Sequence, residues 1–128
     1  MKLLLDTQIA LFILDGSLPQ RHAAINKALL SGETNAFLSV ASLWEIAIKA
    51  RLGKLSISIP LDSLLGFFQA IGVRILPIEA KHVVDMAIPE PVTRDPFDRL
   101  LLAQCQVENL LLVTIDKALI GHRLVFAA

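Results

Sequence analysis

The chain has 128 residues, carries 12 acidic and 12 basic side chains, and contains one cysteine. This length predicts one domain, and the lone Cys105 excludes an internal disulfide and favours a reducing compartment. Without a charge excess, the composition gives no support for a broadly basic nucleic-acid-binding surface. The first residues lack a signal-peptide pattern and no apolar run reaches the length of a membrane span, so we expect a cytoplasmic protein.

Short apolar runs alternate with helical patterns along the chain. The expected strands are residues 3–5, 36–39, 73–78, 110–114 and 124–126. The expected helices are residues 7–14, 18–31, 42–52, 61–71, 79–87, 96–109 and 116–120. Residues 54–60 alternate polar and apolar side chains, which predicts an extended edge segment. Apolar strands that alternate with helices predict an α/β fold with a parallel sheet covered on both faces.

Hydrophobic residues make up 55% of the chain, which is high for a small soluble monomer. Some apolar surface is therefore expected in a protein interface. The apolar faces of residues 43–48 and 61–68 favour a symmetric homodimer.

Acidic residues follow the predicted strands or open the predicted helices. Asp6 follows the first strand, Glu45 lies in the first turn of the helix after the second, and Asp116 follows the strand that ends at Thr114. Residues at the carboxyl ends of parallel strands share one edge of the sheet, where ligands bind in such folds. Asp95 and Asp98 join this edge if the loop of residues 89–94 brings their helix to it.

Crowded carboxylates repel one another and raise one another's pKa unless a cation neutralises them. Their oxygens suit Mg²⁺ or Mn²⁺, whereas His22, His82 and His122 match no zinc spacing. Carboxylate-held metal ions activate water for phosphodiester hydrolysis. The pattern therefore predicts a metal-dependent nuclease, with these metal-binding and catalytic residues: Asp6, Glu45, Asp98 and Asp116.

Each acid taken alone also has a structural interpretation. Ser42 and Glu45 have the spacing of a capping box. Asp95 before Pro96 is typical of a helix N-cap, with Asp98 as an acidic residue of the first turn. Four acids that converge on a ligand-binding edge are harder to explain as independent caps, which favours the metal site.

Four motifs in chain order resemble the PIN-domain family, in particular the VapC-type ribonuclease toxins. They are Leu3-Leu4-Leu5-Asp6-Thr7, Ser42-Leu43-Trp44-Glu45 with Lys49 and Gly53-Lys54-Leu55 after it, Arg94 to Gln104, and Leu112-Val113-Thr114-Ile115-Asp116. The resemblance implies a three-layer α/β/α fold with a central, mainly parallel sheet. It also implies Mg²⁺- or Mn²⁺-dependent RNA cleavage, dimerisation, and inhibition by a co-expressed antitoxin.

Carried over by motif, Asp6, Glu45, Asp98 and Asp116 match the family's acidic quartet, and Asp95 is a candidate fifth acid. Thr93, Gln8 and Phe12 depart from the His, His and Trp that similar sequences often carry. These departures leave the metal acids intact and affect the expected substrate contacts.

Five further residues are candidates for supporting roles. Lys49 either forms an ordinary helical ion pair with Glu45, or orients it or meets a phosphate. The two arginines that flank the acids, Arg94 and Arg99, are candidate RNA-phosphate contacts. Hydroxyl groups of Thr7 and Thr114 are expected to cap backbone N–H groups or to bond a carboxylate or a metal-bound water.

Two conspicuous side chains are expected to be structural. Trp44 lies among apolar neighbours, which favours packing in the core over stacking on a base. His82 is expected on the surface of a short helix.

Four other functional classes share parts of this pattern. Acyl-phosphate phosphatases need a second Asp where this chain has Gln8, and receiver domains need paired acids before the first helix, so neither fits. A DNA nuclease of the same fold and a non-catalytic interaction module remain as alternatives.

Overall fold

The computed structural model describes all 128 residues, and four parallel strands form a sheet in the order β3-β2-β1-β4. The strands are β1 (Lys2–Leu5), β2 (Asn35–Ser39), β3 (Arg74–Leu76) and β4 (Leu111–Val113). The helices are α1 (Thr7–Leu14), α2 (Leu18–Arg21), α3 (Ala23–Leu30), α4 (Val40–Arg51), α5 (Leu64–Ala70), α6 (Ala80–Val84) and α7 (Pro96–Glu108). Even α7, the longest at 13 residues, falls short of the length and apolarity that a membrane crossing requires.

Helices cover both faces of the sheet. In β1, Leu3 and Leu5 point into one core and Leu4 into the other, because successive side chains of a strand alternate between its faces. The first core contains Ile9 of α1, Ile25 of α3 and Phe68 of α5, among others. The second is built mainly on α7, through residues that include Leu101, Leu102 and Cys105. The predicted three-layer α/β/α fold with a parallel sheet is therefore confirmed.

Helix α4 begins two residues earlier than predicted. Ser39 at the end of β2 caps it, because the Ser39 hydroxyl accepts a hydrogen bond of 3.0 Å from the Ala41 N–H. The alternative interpretation of Ser42 and Glu45 as a capping box is therefore wrong. Glu45 lies in the second turn of α4, where its side chain is available for other contacts.

Two predicted helices have interrupted geometry. The helix expected over residues 18–31 divides into α2 and α3 at His22, whose φ of −144° and ψ of 75° are not helical. The helix expected over residues 61–71 opens with a 3-10 turn, Leu61–Ser63, before α5 begins.

The end of the chain is less regular than predicted. In place of a helix over residues 116–120 there is one turn, in which the Asp116 carbonyl accepts from two backbone N–H groups before Gly121, at a φ of 99°. In place of a strand over 124–126 there is a single bridge between Leu112 and Val125. Residues 54–60, the expected edge segment, pair with no strand.

Candidate active site

Asp6 and Asp116 meet at the carboxyl edge of the sheet because β1 and β4 are parallel neighbours. Leu5 pairs with Val113 in the register of the two strands, and the Asp6 N–H donates to the Val113 carbonyl at 2.9 Å. Asp6 therefore leaves β1 at the point where the chain leaves β4 toward Asp116. Parallel pairing alone brings together residues that are 110 positions apart.

Asp6 is held from both sides. Its Oδ1 accepts from the Thr7 N–H at 2.8 Å, which makes Asp6 the N-cap of α1. Its Oδ2 accepts from the Thr114 hydroxyl at 2.6 Å. Burial raises the pKa of Asp6, and these two hydrogen bonds oppose the rise because they stabilise the ionised form.

Thr114 connects the two acids of this edge. While its hydroxyl donates to Asp6, the same oxygen accepts from the Asp116 N–H at 3.0 Å. Asp116 Oδ1 in turn accepts from the Ala118 N–H at 2.9 Å. The expected capping role of Thr114 and its expected bond to a carboxylate are thus both present.

The other hydroxyl candidate joins two helices. The Thr7 hydroxyl donates to the hydroxyl of Ser42 on α4 at 3.0 Å, and both side chains are buried. This contact helps to fix α1 against α4, and α4 carries Glu45. Thr7 therefore positions the wall of the site rather than a metal-bound water.

Asp98 enters the same edge from the first turn of α7. Asp95 caps that helix, because its Oδ1 accepts from the N–H groups of Phe97 at 2.8 Å and of Asp98 at 3.3 Å. The Asp98 carboxylate itself accepts no hydrogen bond. Its pKa is raised from 3.8 to about 7, first by burial and then by repulsion from nearby carboxylates, which are Asp6, Asp95, Asp116 and Glu45.

Glu45 reaches the site from α4 and is paired with Lys49 one turn later. The Lys49 Nζ lies 3.0 Å from Glu45 Oε2, and the Glu45 side chain is only 12% exposed. Both residues face a cleft of about 320 Å³. Its lining consists of Asp6, Thr7, Gln8, Leu11, Glu45, Lys49, Asp95, Asp98, Ile115 and Asp116.

The donor set of this acidic cleft fits a hard divalent cation. Five carboxylates and one ammonium line it, and burial followed by repulsion from the other acids raises the pKa of Asp98. Both Asp98 oxygens are free of hydrogen bonds, and a carboxylate oxygen that already accepts one bond keeps a second lone pair. Oxygen ligands of this kind suit Mg²⁺ or Mn²⁺.

The chain matches a protein-family model over most of its length. The model of the PIN domain matches residues 3–121, which is most of the chain. The chain belongs to the PIN domain family. No curated protein sequence matches it.

A solved structure shares the fold of this PIN domain. It is described as VapBC2 from Rickettsia felis bound to a DNA fragment from their promoter. The TM-score is 0.68 and the sequence identity 19%, over 98% of this chain and 96% of that chain. At this identity the match establishes the common fold.

Two predicted substrate contacts lie outside the cleft of the PIN domain. Arg99 points into a loop, where its guanidinium donates to the carbonyls of Thr93 at 2.7 Å and Pro91 at 3.0 Å and lies 3.5 Å from Glu90. Arg94 is exposed and makes no ion pair or side-chain hydrogen bond. Arg99 thus holds the loop before α7 and is not placed to meet a phosphate at the acids.

The structure corrects two predictions about burial. Trp44 is not in the core: it is 60% exposed and lies edge-on to Phe97, with 5.8 Å between ring centroids. His82 is not on the surface: it is 1% exposed. In both cases the side of the helix that is covered depends on segments distant in the sequence.

His82 belongs to a second charged cluster that the sequence reasoning missed. Potential ligand atoms of Glu79, His82 and Glu108 lie within 4.8 Å of one another, closer than the acids of the cleft. Both ring nitrogens of His82 are already paired, with the Glu79 N–H at 3.0 Å and with Glu108 Oε2 at 2.7 Å. The Lys81 ammonium lies 3.4 Å from the same Glu108 oxygen. The ligand atoms of His82 and Glu108 are therefore already occupied by their neighbours, which makes the acidic cleft the stronger candidate for a metal ion.

Proposed function

We propose that this PIN domain is a divalent-metal-dependent endoribonuclease, and that it is the toxin of a toxin–antitoxin pair. The observation that carries the proposal is the acidic cleft, in which four separate segments bring together Asp6, Glu45, Asp98 and Asp116. Membership of the PIN domain family supports a nuclease. The burial that raises the pKa of Asp98 supports a site that requires a cation.

Each side chain of the cleft has a distinct part in this proposal. The four acids would hold Mg²⁺ or Mn²⁺, which when bound supplies an activated water and stabilises charge on the phosphate oxygens. Thr114 fixes Asp6 relative to Asp116, and Lys49 orients Glu45. Asp95 mainly holds the first turn of α7, and so the position of Asp98.

The test compares single-stranded RNA with DNA of the same sequence, each with Mg²⁺, with Mn²⁺ and with EDTA. We expect cleavage of RNA alone, only with metal, and at internal positions. Cleavage that persists in EDTA would contradict the metal site. Preferential cleavage of DNA would favour the alternative nuclease, and no cleavage of either would favour a non-catalytic interaction module.

An antitoxin partner follows from the charge of the cleft. Five carboxylates with one ammonium attract a cationic side chain, and Arg pairs with carboxylates through two parallel hydrogen bonds. The solved neighbour is itself described as a VapBC assembly, which supports a partner of this kind. A peptide of the antitoxin should inhibit cleavage, and alanine at its cleft-binding Arg or Lys should restore cleavage more than it weakens binding.

We also propose a homodimer through α4 and α5. The apolar side chains of Trp44, Leu65 and Val40 are exposed by 60%, 44% and 38% on this face. Arg51 and Asp62 line the same groove without an ion pair between them, so a two-fold partner can pair each with the other. Light scattering should give a dimer mass for the wild type and a monomer mass for Trp44→Asp.

A further inference from the structure

Lys49 is the single basic side chain of the acidic cleft. It faces five carboxylates there, and its ammonium lies 3.0 Å from Glu45 Oε2. Lys49 follows Glu45 by four residues on α4, the order in which a Glu–Lys pair is most favourable on a helix. The Lys49 side chain is 48% exposed whereas that of Glu45 is 12% exposed, so the carboxylate is the fixed, inner member of the pair.

The ion pair divides the carboxylates of the cleft into two groups. Asp6, Asp98 and Asp116 have no basic side chain within ion-pair distance. Their oxygens are fixed by neutral N–H and O–H donors or, in Asp98, by none. Glu45 is the one quartet member whose charge the chain itself balances, which leaves three aspartates for an added cation.

Two-metal hydrolases hold their ions about 3.5–4 Å apart on shared carboxylates. Apart from Asp95, which caps α7, the carboxylate left for a second ion is Glu45, whose Oε2 lies 3.0 Å from the Lys49 ammonium. With Mg–O bonds of about 2.1 Å, an ion on that oxygen would lie at most about 5 Å from Lys49 Nζ. Positive charges at that separation repel one another, and the cleft walls screen them less than water does.

We propose that the Lys49 ammonium takes the place of a second divalent ion, so that the cleft binds one Mg²⁺ or Mn²⁺ per chain. This inference rests on the proposed metal-dependent function. A cation tethered to α4 stays close to Glu45 and needs no supply of free metal. The divalent ion would then be held by Asp6, Asp98 and Asp116, which narrows the four-acid set of the proposed function, and Glu45 would lie beside it as the partner of Lys49.

The test is the stoichiometry of Mn²⁺ binding, measured from the loss of the free-ion signal in electron paramagnetic resonance, without substrate. The wild type should bind one Mn²⁺ per chain, and Lys49→Met, which keeps the length of the side chain without its charge, should bind two. Lys49→Arg keeps the charge and should bind one. Lys54→Met removes an exposed lysine that makes no ion pair, and should also bind one.

The outcomes separate the inference from the function on which it rests. Two Mn²⁺ ions in the wild type, or one in both the wild type and Lys49→Met, would overturn the role of Lys49 and leave the metal-dependent nuclease in place. A wild type that binds no Mn²⁺ would overturn both. Circular dichroism of each variant verifies folding, and the half-exposed position of Lys49 makes Lys49→Met a mild substitution.

Discussion

The two ends of α7 carry clusters of charged side chains that differ in their partners. One is crowded with carboxylates, and in the other a carboxylate is paired with His and Lys side chains. Asp98 in the first turn faces four other carboxylates and one ammonium, and its pKa rises to about 7. Glu108 in the last turn, about 15 Å away along the helix, meets His82 and Lys81. The hydrogen bond from His82 is the main cause that lowers the pKa of Glu108.

The comparison separates a structural cluster from a functional one. The Glu108 cluster has a partner for each of its charges and joins α6 to α7, so it needs nothing from solution. The acidic cleft leaves its aspartates without a basic partner, and arrangements of this kind are concentrated at functional sites. The closely spaced ligand atoms of Glu79, His82 and Glu108 are thus a weaker indication of a ligand site than the unpaired carboxylates of the cleft.

The largest expected difference between the clusters is in catalysis. Asp98→Asn should lower the rate of RNA cleavage at least about 100-fold, because loss of a metal ligand removes several kcal/mol of charge stabilisation. The corresponding change in the second cluster, Glu108→Gln, should leave the rate within about twofold. Initial rates on one RNA substrate measure the cleavage activity of both variants. An equal loss of activity in the two would contradict a special role for the acidic cleft.

The second difference is in stability. His82→Leu removes the hydrogen-bond partner of the Glu79 N–H and of Glu108 in part-buried contacts, and should destabilise the fold by about 1–2 kcal/mol. Urea unfolding followed by circular dichroism measures this change, with cleavage at saturating metal expected to stay within about twofold of wild type. A stable His82→Leu protein that no longer cleaves RNA would mean that the second cluster is part of the active site.

The smallest difference is the slope of stability against pH in EDTA. A carboxyl whose pKa is raised in the folded state, such as Asp98, stabilises the fold below its ordinary pKa of 3.8 and loses this contribution as the pH rises through about 7. Glu108, whose pKa is lowered, contributes above its ordinary pKa of 4.5 and loses this contribution as the pH falls below it.

Melting temperatures between pH 3 and pH 8 should therefore respond differently to the two variants. Asp98→Asn should flatten the decline toward neutral pH, and Glu108→Gln should flatten the decline toward acid pH. Asp15 also has a lowered pKa, so some decline toward acid should survive in Glu108→Gln. An unchanged slope in Asp98→Asn would show that its carboxyl is not the group that loses its proton there.

The sequence predicted the sheet and the quartet because both depend on local patterns. An apolar strand followed at once by an acid, as at Leu5 and Asp6, places that acid at the carboxyl edge of any parallel sheet. The position of Asp98 at this edge depends in addition on the path of the loop before α7. The structure satisfies that condition with Arg99, which holds the loop through the carbonyls of Pro91 and Thr93.

The predictions about burial that were wrong concern contacts between distant segments. His82 is buried because Glu108, 26 residues later, lies against it, and no local pattern contains that information. Glu79 three residues before His82 was the available signal, since the two form a capping box at the start of α6. Trp44 has apolar neighbours in the chain, yet it lies on an exposed side of α4, edge-on to Phe97.

The composition of the cleft also changes the meaning of the zero net charge. Five of the 12 acids and one of the 12 bases line the cleft, which leaves seven acids and eleven bases for the rest of the molecule. The body of the protein therefore attracts a polyanion, while the cleft repels one until a cation has entered. Long-range attraction of this kind accelerates encounter and weakens as ionic strength rises. Under the proposed function, capture of a strand and its entry into the cleft should therefore be separate events, the first sensitive to monovalent salt and the second to the divalent ion.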